Sequence, residues 1–159
     1  KFIPLCITNA EEGLPLPLYG DGQQRRSWLY VDDVCEALQV IIERGRPGQL
    51  YNIAGGTEQS NLETAREILR LAGRASDLIH FVNDRPGHDR RYALDDAKLR
   101  GLGWDPKVSF ERGLSETIAW YRQHPEWWRP LVRRLREDPY HWLNRPVGTG
   151  APQASRFIA

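Results

Sequence analysis

Nine consecutive residues, Asp84-Arg85-Pro86-Gly87-His88-Asp89-Arg90-Arg91-Tyr92, gather three arginines, a histidine, a tyrosine and two aspartates. Guanidinium groups offer forked donors that match phosphate oxygens, and an imidazole and a phenol beside them complete a polar pocket. Pro86 fixes its own φ and drives Arg85 towards extended backbone, while Gly87 permits a sharp turn, so Arg85 and His88 are held on a stiff loop. Such a loop suits an anion. On charge alone a second reading stands beside it, a solvated basic loop whose aspartates pair in cis.

Other residues supply related chemistry. Arg25 and Arg26 precede Trp28, the ring of Tyr19 could lie flat on a base, and Asn61 falls in the first turn of an expected helix, the end where the dipole favours anions. Each has a plainer reading as well: Tyr19 as packing, Asn61 as a capping partner, His88 as a loop hydrogen-bonder. Catalytic machinery is not visible. Gly20-Asp21-Gly22 opens no helix and lacks the third glycine of a dinucleotide loop, and no serine sits in a nucleophile elbow.

The elements that must position these groups follow from periodicity. Phe2, Leu5, Cys6, Asn9 and Ala10 recur at helical intervals before Gly13. Alternation in Pro15-Leu16-Pro17-Leu18-Tyr19 predicts an edge strand, and the Asp21-Gly22 turn predicts that residues 16–19 and 27–31 form a hairpin or neighbouring extended segments. Asp32 or Asp33 is expected to cap a helix through Val34, Ala37, Leu38, Val40, Ile41 and Ile42, ending near Gly45 to Gly48. Residues 50–54 read as a short strand running into Gly55-Gly56, where backbone can approach a neighbour closely. Ser60-Asn61-Leu62-Glu63 is a capping box for a helix that buries Leu62, Ala65, Ile68, Leu69 and Ala72. Residues 79–82 are β-rich and deliver the chain to the charged loop. Asp95 or Asp96 caps a short helix through Leu99 and Leu102, and Ser109 caps another, with Phe110, Leu114, Ile118 and Tyr121 on one face, stopped by Pro125. From Glu126 the composition shifts to tryptophans among arginines, read as an amphipathic helix that packs its tryptophans and leaves its arginines solvated.

Composition bounds the function. A chain of 159 residues, 40% hydrophobic and 27% charged, can build one domain with a sizeable core. The formal net charge of +1 argues against a surface that coats nucleic acid, so an anion site must be local. No apolar run reaches the roughly 20 residues of a membrane span. Cys6 and Cys35 show no metal-type spacing and read as free thiols of a cytoplasmic protein, although they could bridge if they met in space. There is no methionine, and the start Lys1-Phe2-Ile3-Pro4 points to a part of a longer protein.

Extended to Ala93-Leu94-Asp95, the charged loop resembles the characteristic loop of dTDP-glucose 4,6-dehydratases, members of the extended short-chain dehydrogenase/reductase family. Lys1-Phe2-Ile3-Pro4-Leu5, Pro15-Leu16-Pro17-Leu18-Tyr19-Gly20-Asp21-Gly22, Arg26-Ser27-Trp28-Leu29-Tyr30-Val31-Asp32-Asp33, Tyr51-Asn52-Ile53 and Leu102-Gly103-Trp104 follow in the order and approximate spacing of that family's C-terminal half. Ser27 departs from the pattern, standing where the family commonly has Asp. The resemblance covers residues 1–128.

It implies an α/β fold: the C-terminal substrate-binding part of an extended short-chain dehydrogenase/reductase, with short strands, several helices and the Rossmann half absent. Residues 1–128 would form the substrate-binding domain, 129–143 an amphipathic Trp/Arg segment and 144–159 a flexible tail. By the same resemblance Lys1, Pro17, Tyr19, Arg26, Asn61, Arg85, His88 and Tyr92 line the dTDP portion of a dTDP-sugar such as dTDP-glucose. NAD, the Tyr-x-x-x-Lys pair and the acid/base carboxylates belong to the missing N-terminal half, so no catalytic, cofactor-binding or metal residue is expected here. The chain alone would bind the sugar nucleotide without turning it over, and the full-length protein would be a homodimeric, cytoplasmic lyase. Another sugar-nucleotide epimerase or decarboxylase of the same superfamily is the enzyme alternative. A nucleic-acid-binding module, motivated by Arg90, Arg91 and the Trp/Arg segment, is the alternative from a different class.

Overall fold

Cys6, Ile7 and Ala10 fall on one side of a helix, α1 (Phe2–Glu12), and all three are buried. Gly13 ends it in the left-handed conformation, φ 68°, and the Gly13 and Leu14 amides bond back to the carbonyls of Ala10 and Asn9. This is a computed structural model, and it describes residues 1–137 except Gly56. The remaining elements are β1 (Leu16–Tyr19), β2 (Arg25–Trp28), α2 (Val31–Arg44), β3 (Thr57–Ser60), α3 (Asn61–Ala72), a 3-10 turn (Ser76–Leu78), β4 (Ile79–Val82), α4 (Ala97–Arg100), α5 (Phe110–Gln123) and α6 (Pro125–Glu137). It is an α/β arrangement dominated by helices.

The main core joins α1, β1, α3 and α5 through Cys6, Ile7, Ala10, Leu16, Leu18, Ala65, Ile68, Leu69, Leu114 and Ile118. Each of the leucine and isoleucine side chains contributes about 1.5–3 kcal/mol through burial. Alternation in β1 places Leu16 and Leu18 inside and turns Pro17 and Tyr19 to the other face. A second cluster packs Ala37 of α2 against Leu99 and Trp104, with Leu29, Val40, Ile41, Ile53 and Leu102 around them. Cys6 is buried, which pushes its thiol pKa up to about 12; Cys35 is exposed, and both are free.

The strands pair differently from the expected hairpin. β1 runs parallel to β4, Leu16 opposite Ile79 and Tyr19 opposite Val82, while β2 runs antiparallel to β3, Arg25 opposite Ser60 and Trp28 opposite Thr57. The turn at Asp21-Gly22 does form, with the Gly22 amide on the Tyr19 carbonyl, but the Gly22 carbonyl then accepts from Leu62 at the start of α3. The chain is thereby carried away from β1 and towards β3. β2 also starts two residues earlier than expected, and it ends at Trp28 because Val31 is already the first residue of α2.

Asp32 and Asp33 are not caps. Tyr30 holds the cap position of α2 without a side-chain bond, and the buried Asp33 carboxylate accepts the Lys107 and Val108 amides, each at 3.0 Å. The Trp104 indole donates to the Asp33 carbonyl at 3.1 Å, so the segment 104–108 is pinned to α2. One face of α2 lies open: Val31, Cys35, Leu38 and Ile42 are exposed, Ile42 by 83%. Residues 50–54, expected as a strand, have no ladder partner among the described residues. They are tied instead by side chains, Lys98 to the Leu50 carbonyl and Asn52 to the Asp95 carbonyl. The close approach expected at the two glycines is present at Gly55, where an added Cβ would lie 2.0 Å from the Trp28 carbonyl oxygen.

The capping box of α3 is complete: Ser60 Oγ accepts the Glu63 amide at 3.1 Å, and the Glu63 carboxylate accepts the Ser60 amide at 2.8 Å. Asp95 accepts the Ala97 amide at the start of α4, and Ser109 accepts the Arg112 amide at the start of α5. The chain divides into two units, Lys1–Gln123 and a second from His124 onward, each described by itself. In the second unit Pro125 begins α6, Trp128 is buried, and Arg129, Arg133, Arg134 and Arg136 are exposed. Trp127 is 56% exposed, contrary to the expectation that the segment packs its tryptophans, because adjacent helical residues point about 100° apart. Trp142, the end of the segment 129–143 and all of the tail 144–159 lie outside the described residues.

The charged loop is laced along β2. The Arg25 amide donates to the Arg90 carbonyl at 2.8 Å and the Tyr92 amide to the Arg25 carbonyl at 3.2 Å, a parallel bridge between Arg25 and Arg91. Two forked ion pairs fasten it, Arg90 on Asp21 at 2.8 and 3.0 Å and Arg91 on Glu58 at 2.8 and 2.5 Å. The Arg90 and Arg91 guanidinium groups hold the Asp21 and Glu58 carboxyls below the usual carboxylate range.

Two outcomes are expected. Ser60→Ala removes the N-cap acceptor and should lower stability by about 1 kcal/mol in denaturant unfolding, with Ser60→Thr largely restoring it. Asp21 and Glu58 have folded pKa values below their unfolded values of about 4, so their contribution is complete above that pH and is lost as pH falls through the lower folded values. The thermal midpoint should therefore drop in acid below about pH 4. A midpoint unchanged between neutral pH and that range would rule the two staples out as contributors.

Candidate functional site

With the loop fixed on β2, four side chains meet. β2 projects Arg26 beneath the loop, where its guanidinium carbon lies 4.4 Å from the centre of the Tyr92 ring. Arg26 Nη1 donates to the Arg25 carbonyl at 2.7 Å and Nη2 to the Asp89 carbonyl at 3.0 Å, with His88 Nε2 3.4 Å from Nη2. The Tyr19 ring, at the end of β1, meets the His88 ring edge-on with centroids 5.6 Å apart. His88 Nδ1 is 2.6 Å from Asp84 Oδ1, and the Tyr92 hydroxyl donates to the Asp89 carboxylate in a short bond.

Electrostatics separate the arginines. Arg90 and Arg91 are neutralised by Asp21 and Glu58. Arg26 and Arg85 make no ion pair among the described residues, although both act on Asp89 and Tyr92 through their charge. Asp84 is held below the usual carboxylate range by its bond to His88, and Asp89 by its bond to Tyr92; the same bond raises the Tyr92 phenol. The cis pairing of the loop's aspartates is thus real, but it engages His88 and Tyr92 rather than Arg26 and Arg85. An Arg26 guanidinium without an ion pair among the described residues, stacked on the exposed Tyr92 ring and with Arg85 on the same loop as that ring, can receive a dianionic phosphate group, and the exposed Tyr19 ring a flat base.

The expected site residues divide accordingly. Tyr19, Arg26, His88 and Tyr92 are brought into contact, and Arg85 stands on the same loop. Pro17 shares with Tyr19 the face of β1 that points away from the core. Asn61 is the first residue of α3 and is 7% exposed, with its Oδ1 buried and unpartnered among the described residues. The dipole argument for Asn61 does not hold for the backbone there: the Asn61, Leu62 and Glu63 amides bond to Gln24, Gly22 and Ser60. The Asn61 side-chain oxygen alone is left without a donor at this helix start among the described residues. Lys1 is exposed at the start of α1, with no contact to the cluster among the described residues. Ser27, the departure from the family pattern, donates to the Gly55 carbonyl at 2.5 Å.

Sequence reasoning missed Gln24 and Asp84 as organisers of the site. Gln24, 1% exposed, donates through Nε2 to the Tyr19 carbonyl at 3.2 Å and to Asp84 Oδ2 at 2.9 Å. Nothing in its immediate sequence context marks a glutamine as buried. The described residues do not fit a dinucleotide cofactor: the glycine turn after β1 enters β2 instead of a helix, and the first amides of α3 are engaged. No group of three or more metal-ligating side chains occurs among the described residues, and no described helix is long and apolar enough to cross a membrane.

The chain is similar to dTDP-glucose 4,6-dehydratase of Streptomyces niveus, 50% identical over 132 residues, which are 82% of this chain and 39% of that relative. It superposes on the dTDP-glucose 4,6-dehydratase DesIV of Streptomyces venezuelae, solved with NAD bound, with TM-score 0.79 and 45% identity over 82% of this chain and 41% of that one. A more distant likeness is the UDP-glucose 4-epimerase of Thermotoga maritima, solved with UDP-glucose, at TM-score 0.73 and 28% identity over 77% of this chain and 40% of that one. The chain thus spans about 40% of the length of the relatives it matches. The model of the family described as GDP-mannose 4,6 dehydratase matches residues 1–117, and the chain belongs to that family.

Proposed function

We propose that this chain is the sugar-nucleotide-binding part of a dTDP-glucose 4,6-dehydratase. The observation that carries the reading is the Arg26 guanidinium, without an ion pair among the described residues and in contact with His88 and Tyr92, facing a loop that also carries Arg85 and whose other arginines are consumed in staples. Arg26 and Arg85 neutralise the diphosphate, Tyr19 and its neighbour Pro17 receive the thymine, and Asn61, His88 and Tyr92 supply hydrogen bonds. The orphaned Asn61 Oδ1 supports this, since a buried acceptor without a donor costs about 1–3 kcal/mol until a ligand supplies one. Lys1 joins the nucleotide from the start of α1.

In this reading the whole enzyme oxidises C4 of the glucose unit, removes water across C5 and C6 and reduces C6, giving dTDP-4-keto-6-deoxyglucose. NAD supplies the hydride chemistry and is held by residues outside this chain, as are the acid and base. The chain's own residues bind and orient the nucleotide, so by itself it is inactive. A cytoplasmic homodimer accompanies the assignment. The pairing of Arg90 and Arg91 with carboxylates speaks against a nucleic-acid surface, which draws affinity from free cations.

Calorimetry with dTDP should show binding of one nucleotide per chain, and Arg85→Ala should weaken it by about 2 kcal/mol while leaving the thermal midpoint unchanged. Salt-steep binding of RNA with no dTDP binding would favour the nucleic-acid module instead. Given dTDP-glucose, the full-length protein should yield the 4-keto-6-deoxy sugar; formation of an epimer or a decarboxylated product would reassign it within the superfamily.

A further inference from the structure

Three donors converge on the Asp84 carboxylate. Oδ1 accepts the Arg85 amide at 2.8 Å and lies 2.6 Å from His88 Nδ1, and Oδ2 accepts Gln24 Nε2 at 2.9 Å. Gln24 cannot turn its amide over without cost, because Nε2 serves two acceptors, Asp84 Oδ2 and the Tyr19 carbonyl. The flipped amide would set its oxygen against both. Its present orientation leaves Oε1 buried and unpartnered among the described residues, so the two Nε2 bonds decide the geometry. On the other side Gly20 closes the space: a Cβ there would stand 3.0 Å from Asp84 Oδ2.

An ionised carboxylate only accepts hydrogen bonds, so the proton of a neutral His88 ring must sit on Nδ1. Nε2 is then left with its lone pair towards Arg26 Nη2, 3.4 Å away, and the ring edge stays against Tyr19. The side chain of His88 is 8% exposed, so the ring has little water to replace either partner.

We propose that Asp84 and Gln24 are positioning residues of the nucleotide site: a clamp that holds His88 in its Nδ1–H tautomer, with Nε2 receiving the Arg26 guanidinium. The consequence for affinity rests on the nucleotide-binding reading above, whereas the tautomer does not. Gln24 fixes Asp84, Asp84 fixes His88, and His88 with the Asp89 carbonyl fixes Arg26. Tyr19 is held at the same node through its carbonyl and its ring.

The test is nitrogen NMR of the full 159-residue chain labelled at its histidines, at about pH 9, well above the ordinary imidazole pKa of about 6.5. His88 is assigned by the signal missing in His88→Asn. The wild-type ring should show a protonated Nδ1 and a bare Nε2. Asp84→Asn, which can turn a donor towards the ring, should mix the tautomers or invert them and weaken dTDP binding about tenfold. Gln24→Met, of similar length but without a donor, should weaken dTDP binding less, and Asp84→Glu should restore the tautomer in part. A wild-type ring protonated on Nε2, or an Asp84→Asn chain with unchanged tautomer and unchanged dTDP affinity, would overturn the clamp. Should Asp84→Asn fail to fold, the wild-type spectrum alone decides. Absence of dTDP binding by the wild type, with Nδ1 protonated, would overturn the nucleotide reading and leave the clamp standing.

Discussion

The site depends on one backbone contact, the parallel lacing of the charged loop onto β2 through the Arg25 amide and carbonyl. Without it, three arginines and two aspartates would be a solvated charge run in which every pairing is possible. With it, the register of the loop is set, and register decides which arginine faces which carboxylate. Arg90 and Arg91 fall on Asp21 and Glu58, and Arg26 comes to lie under Tyr92 with its charge unmatched. The division between staple and ligand-facing cation is therefore a result of strand geometry, since all these residues are chemically the same.

β2 can accept the loop because its other edge is already satisfied by β3, and β3 is held in turn by the capping box that starts α3. The Ser60–Glu63 cap, the bond from Leu62 to the Gly22 carbonyl and the bond from Asn61 to the Gln24 carbonyl place three consecutive amides on three different partners. Those bonds close the helix end to an external anion and also bury Gln24. A local device for satisfying a helix terminus thus builds the inner wall of the site.

The second cluster shows the same economy. Asp33 leaves the capping role to the backbone of Tyr30 and spends its carboxylate on Lys107 and Val108, which ties the segment before α5 to α2. On its far face α2 carries Val31, Cys35, Leu38 and Ile42 into the open, and residues 50–54 run nearby without a ladder. Apolar helix faces and unpaired extended backbone are ordinarily covered in a finished fold. Relatives about twice as long as this chain have the additional length to supply such cover.

Local chemistry alone determined a good part of this protein. The helices that end at Gly13 and Gly73, the Ser60–Glu63 cap, the strand character of Leu16–Tyr19 and Ile79–Val82, and the stiff Pro-Gly loop with its cations are all written in near-neighbour spacing. These features involve residues within about four positions of one another, where sequence distance is also spatial distance. Tertiary structure decided everything that joins distant residues. It chose β4 over β2 as the partner of β1, diverted Asp33 from its helix, withheld a ladder from residues 50–54, and sorted the arginines into staples and free cations. It also made an unremarkable glutamine, Gln24, the support of a carboxylate 60 positions away. Side-chain type limits which bonds a residue can make, but the choice among equivalent partners belongs to packing and register, which no local pattern encodes.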